Sequence, residues 1–188
     1  MYLSNMVIDI GHNDVSIYRT AIRMAALVKQ FSPLPLIRQR VEFIIGSIPA
    51  YDYYNEVNAI FTYVQNNMRY TKDPLNWEYI KQPDVMLAEI DQNGYCAGDC
   101  DEFAVLGLTF ARSIGCHTAI KIASYSPDRE FSHVYGMVYV NNTWLVFDAI
   151  KSDFKFGDEQ GDINRQDMLI TRASIIDVED VPSLAYFI

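Results

Sequence analysis

At 188 residues, half of them apolar, the chain can bury one substantial core and lacks the compositional marks of disorder. A net charge of −9, with no cluster of Lys or Arg, argues against nucleic acid and anionic lipid as partners. Three cysteines are too few, and odd in number, for a disulfide framework, which fits a reducing compartment and a free thiol.

Residues 1–10 show no basic region and no long apolar stretch, so no signal peptide is read and a cytoplasmic location is expected. The apolar runs Ala25–Val28 and Phe43–Ile45 fall far short of the roughly 20 residues that span a bilayer, so no membrane partner is expected. From Asp14 to Phe31, the apolar positions Ile17, Ala21, Met24, Leu27 and Val28 share one helical face, and Pro33 and Pro35 close it. A second helical pattern carries Leu36, Ile37, Val41, Ile44, Ile45 and Ile48 and ends near Gly46 and Pro49. A third spans about Tyr53 to Asn67, with Val57, Ile60, Phe61 and Val64 on one side. Stripes of this kind build a core.

Met68-Arg69-Tyr70-Thr71 reads as a short extended piece closed by Asp73-Pro74. Pro83 and Asp84 open a brief helix through Ile90, and Asp91-Gln92-Asn93-Gly94 reads as a surface loop. Cys100 to Ser113 is predicted as a mostly buried helix, on Phe103, Leu106, Leu108, Phe110 and Ala111, with Gly115 as its C-cap. Beyond Gly115 the apolar period changes to two. Thr118–Tyr125, Ser132–Val140 and Thr143–Ile150 read as strands, with Asn141-Asn142 as a hairpin turn. A loop rich in Gly and Asp follows, then a last element over Met168–Ile176. Helices first and an antiparallel sheet later make an α+β domain.

Chemistry concentrates in Gly98-Asp99-Cys100-Asp101-Glu102, Ser132-His133 and Phe147-Asp148. Asp99 and Glu102 form a capping-box pattern, which puts Cys100 at the first helical position. The helix dipole there favours a thiolate, and unpaired N–H groups could hold an oxyanion. Asp99, Asp101 and Glu102 oppose this if all are charged, so the thiol needs a cationic partner. Pairing around the Asn141-Asn142 turn sets His133 opposite Ile150 and Asp148 opposite Tyr135. His133 and Asp148 are then diagonal neighbours projecting from one face. Thiol, imidazole and carboxylate make a nucleophile, its base and the group that orients the base.

Two other uses of the cysteines fit less well. Cys96, Cys100, Cys116 and His117 are four potential zinc ligands, but Cys116 and His117 are adjacent at a strand start and point to opposite faces. Cys96 lies in a loop before the helix, at a spacing unlike the redox Cys-x-x-Cys. No metal and no cofactor is expected, and His12 and His117 are read as surface or structural.

The segments Gly98–Ala104, Ser132–Val134 and Trp144–Asp148 resemble the core of the transglutaminase-like cysteine proteinase superfamily, in its small microbial and phage-encoded form. The resemblance covers about Ile60 to Ile150. It implies a papain-like α+β fold, a central helix carrying Cys100 against an antiparallel sheet carrying His133 and Asp148. It implies Cys100 as nucleophile, His133 as general base and acid, and Asp148 as the orienting carboxylate. An oxyanion partner upstream of the cysteine would be Tyr70, with Trp77 the second choice. The chain is then one domain over 1–188, with a helical part about 1–67, a catalytic core about 60–150 and a C-terminal extension 151–188. The expected activity is a thiol hydrolase or acyltransferase on an amide of a protein or peptide. The alternative is a non-catalytic structural or assembly protein, such as a phage virion component in a homo- or hetero-oligomer.

Overall fold

A computed structural model describes residues 6–8, 14–74, 78–125, 132–159 and 172–181. In chain order these form β1 (Met6–Ile8), α1 (Asp14–Phe31), α2 (Pro35–Ile45), α3 (Tyr53–Asn67), β2 (Met68–Tyr70), β3 (Glu78–Ile80) and α4 (Pro83–Asn93). There follow β4 (Cys96–Gly98), α5 (Cys100–Ser113), β5 (His117–Ser124), β6 (His133–Val140), β7 (Thr143–Phe147) and β8 (Arg172–Asp177). The architecture is α+β, as expected.

Local rules account for most element ends. Pro35 sits at the first turn of α2, where its missing N–H costs nothing. Asp52 caps α3 by accepting the Asn55 N–H. Two expectations are corrected. Asp91–Asn93 is the exposed last turn of α4 rather than a loop, because Gly94 takes φ +81° and donates its N–H to Ile90. Cys96 is in a strand rather than a loop: β4 pairs in parallel with β2, Met68 to Cys96 and Tyr70 to Gly98. β1 and β3 pair antiparallel, and neither was anticipated.

The main sheet has the order β7-β6-β5-β8, all antiparallel. Asn141 and Asn142 take φ 51° and 64°, the left-handed pair that a two-residue hairpin needs. The hairpin has the expected register, with Val140 opposite Thr143 and Gly136 opposite Phe147. β7 ends at Phe147, three residues before the expected Ile150, so Ile150 is not the cross-strand partner of His133. Asp148 stands just past the ladder. The last element begins at Arg172, and the expected residues 168–171 lie outside the described ones.

The sheet's two faces differ. Ile120, Ile122, Val134, Val138 and Phe147 join the main core under α5, which is buried from Asp101 to Ala111. Two glycines set the spacing: a Cβ on Gly107 would lie 2.2 Å from Phe147 Cε1, and one on Gly136 would lie 2.7 Å from Leu108 Cδ2. The opposite face carries a smaller cluster of Ala123, Tyr135 and Val146, with Tyr125 packed against it. By strand alternation, His133 belongs to this second face. Lys29 of α1 ties down the chain after β8 by donating to the carbonyls of Glu179 and Val181, at 3.0 and 3.1 Å.

Candidate active site

The turn into α5 is built around one buried carboxyl. Glu102 is 1% exposed; its Oε2 accepts the Asp99 N–H and its Oε1 the Lys81 N–H, each at 2.9 Å. Its side chain fills the space a Cβ on Gly98 would need, with three Glu102 atoms 2.7 Å away, which is why glycine precedes the cap. Asp99 completes the capping box, its carboxylate accepting from the Asp101 N–H and from the Glu102 backbone. The cap therefore uses two amide protons that the sequence reading offered to an oxyanion. Burial, and then the charge of Asp99, push the Glu102 carboxyl up to about 8. The shift disfavours its charge near neutral pH, which weakens the acidic fence expected around the thiol.

Cys100 opens α5 and is half-buried, its Sγ 3.8 Å from Asp101 Oδ1. Cys96 and Cys116 are buried, and burial first of all pushes both thiols up to about 12. Burial and the raised pKa both disfavour their thiolates at neutral pH. Tyr70, paired across from Gly98, is 54% exposed, and burial of its phenol followed by the charges of Cys100, Asp99 and Asp101 raises its pKa. Trp77, the second choice for an oxyanion partner, lies outside the described residues.

His133 and Asp148 meet as the hairpin register predicts, Nε2 to Oδ2 at 2.8 Å, with side chains 9% and 4% exposed. Nε2 is thus the ring nitrogen committed to the carboxylate, and Nδ1 is the one left to face another partner. The imidazole has two tyrosine neighbours, Tyr125 with ring centroids 6.2 Å away and Tyr135 at 5.2 Å. Tyr125 stands one residue beyond β5, and its phenol is pushed up by burial and by the charges of Asp148, Glu159 and Cys100.

Sequence reasoning missed these two aromatic neighbours and the carboxylate bonded to one of them. The register did place Tyr135 opposite Asp148, a signal available before the structure. Glu159, in a loop, had none. As for zinc, Cys100 opens the 14-residue α5 and Cys116 lies past its far end, about 20 Å away at helical rise, so the four proposed ligands cannot share an ion. Asp99, Cys100 and Asp101 bring ligand-type atoms within 4.8 Å of one another, but Asp99 is committed to capping the helix.

A buried helix opening on a cysteine, packed against an antiparallel sheet, is a papain-like arrangement. A family model for the transglutaminase-like superfamily matches residues 46–149, and the chain belongs to that superfamily. No curated protein matches. Among solved structures, a candidate protease from Parabacteroides distasonis is similar at a TM-score of 0.54 and 12% identity, over 84% of this chain and 29% of that one. A candidate cysteine protease from Cytophaga hutchinsonii aligns at a TM-score of 0.46 and 19% identity, over 74% of this chain and 45% of that one. The chain thus spans less than half the length of either protein, and the first likeness is one of fold.

Proposed function

We propose that the protein is a thiol-dependent hydrolase or acyltransferase acting on amide bonds of a protein or peptide. The observation that carries this reading is the buried His133–Asp148 hydrogen bond of 2.8 Å, which directs the lone pair of Nδ1 away from the carboxylate. His133 Nδ1 takes the Cys100 proton, and the thiolate adds to the amide carbonyl. His133 then gives that proton to the leaving amine as the C–N bond breaks, leaving an acyl thioester on Cys100. Water, or an amine in a transfer reaction, adds to the thioester with His133 again taking the proton. The collapse returns the thiol. With the Asp101 and Glu102 N–H groups engaged by Asp99, Tyr70 is the side chain we assign to the oxyanion; its raised pKa keeps it a donor.

The test is iodoacetamide labelling across pH in wild type, Cys100→Ser and His133→Ala. Selective labelling of Cys100 below about pH 7, slowed at least ~10-fold without His133, is expected for a working thiolate–imidazolium pair. Labelling that rises only near the pH of an ordinary thiol, indifferent to His133, would move the assignment to a non-catalytic assembly role.

A further inference from the structure

The segment after β7 does more than leave the sheet. Gly157, at φ +100°, donates its N–H to Val146 O at 2.9 Å, and Phe156 packs on Phe61 and Phe147. Gln65 of α3 holds the same segment by donating to the carbonyls of Lys151 and Phe154, at 2.7 and 2.9 Å. The chain is thereby folded back so that Glu159 arrives on the sheet face that bears His133. There its Oε1 accepts from the Tyr135 hydroxyl at 2.5 Å and from Lys121 Nζ. Lys121 also stands over the Tyr135 ring, 5.6 Å from its centroid. All three side chains are largely shielded, Lys121 at 14% and Glu159 at 18% exposure.

This group reaches the imidazole through Tyr135. The Tyr135 ring lies 5.2 Å from that of His133, inclined by only 30°, and the residue is 1% exposed. Asp148 holds His133 at one ring atom and does not by itself fix the tilt of the imidazole about its side-chain torsions. A ring face alongside the imidazole limits that tilt, and the phenol–carboxylate bond limits the ring in turn. Glu159 lies outside the family match, which stops at residue 149.

We propose that Glu159 is a positioning residue for His133: with Lys121 it holds the Tyr135 phenol, and the Tyr135 ring keeps Nδ1 aimed at Cys100. This rests on the reading of Cys100 and His133 as a reacting pair, and its test separates the two. Iodoacetamide labelling is followed residue by residue at about pH 6.5 in wild type, Glu159→Ala, Glu159→Gln, Tyr135→Phe and His133→Ala. Glu159→Ala is expected to slow Cys100 by about 10-fold, since small misplacements of a reacting group are expensive in rate. Glu159→Gln, which keeps an acceptor for the phenol, should recover most of the rate, and Tyr135→Phe should resemble Glu159→Ala. The downfield proton on His133 Nε2 should broaden in the two slow variants. Cys96 and Cys116 serve as the internal control, because they label only if the fold opens.

Slow Cys100 with silent Cys96 and Cys116 supports the proposal. Wild-type rates in both Glu159→Ala and Tyr135→Phe, with His133→Ala slow, overturn it and leave the reacting pair standing. Wild-type rates in all variants, His133→Ala included, overturn both readings. If Glu159→Ala exposes the buried thiols, it reports a folding defect, and Tyr135→Phe decides.

Discussion

Glu102 caps a helix with one oxygen and anchors the β3 end of the chain with the other, while buried beside Asp99. A free carboxyl loses its proton near 4.5, whereas native Glu102 keeps it to about 8. Between those values the folded state binds the extra proton, so stability falls as pH rises through that window and levels off above it. Urea melts at about pH 5 and pH 9 should show the loss, and Glu102→Gln should flatten it. The variant's baseline should also drop by about 1–3 kcal/mol, because its NH2 meets one of two amide donors. Asp148→Asn keeps the shape of the His133 contact but not the charge or the fixed tautomer. Cys100 labelling below about pH 7 should slow at least ~10-fold. Cys100, His133 and Asp148 were legible because a cap rule and a two-residue period locate them without tertiary information. The fate of the Asp101 and Glu102 N–H groups was not, because the same cap that places the thiol competes for them. Tyr125, Tyr135 and Glu159 come together only through packing.

At the scale of elements, the contact between α5 and the hairpin carries most of the geometry. Gly107→Ala gains about 1 kcal/mol of helix propensity, but its Cβ would meet Phe147 Cε1 at 2.2 Å. Phe147 has little room to yield, being 1% exposed and packed against Phe61 and Phe156 with centroids 5.1 and 6.1 Å away. Overpacking of about 1–3 kcal/mol or more wins, so Tm should fall despite the better helix former. Since Asp148 follows Phe147, Cys100 labelling should slow in the same variant. Helices α1, α3 and α5 were legible to the residue from their stripes and flanking signals. The pairs β1–β3 and β2–β4 were not: three-residue strands have no measurable alternation, and their partners lie far apart in sequence. The polar run Asp91–Asn93 misled because turn formers also suit the exposed last turn of a helix.

For the molecule as a whole, the sheet closes with a strand from near the C-terminus. β8 covers the edge of β5, Val178 and Val181 are buried behind it, and Lys29 ties that corner to α1. A chain ending after Glu159 would bare the β5 edge and part of the core, and should lose cooperative unfolding in a thermal melt. The hairpin behaves differently, since His133 and Asp148 are 15 residues apart and their strands meet through a two-residue turn. Hairpins of this kind zip within about 1–10 μs, whereas β8 must return from across the sheet. Synthesis runs from the N-terminus, so Cys100 leaves the ribosome well before Asp148, and both precede β8. On the proposed reading, the newborn chain carries its thiol for a time with no base to awaken it. Reactivity then waits for the hairpin, and the order of translation itself keeps the half-made nucleophile silent.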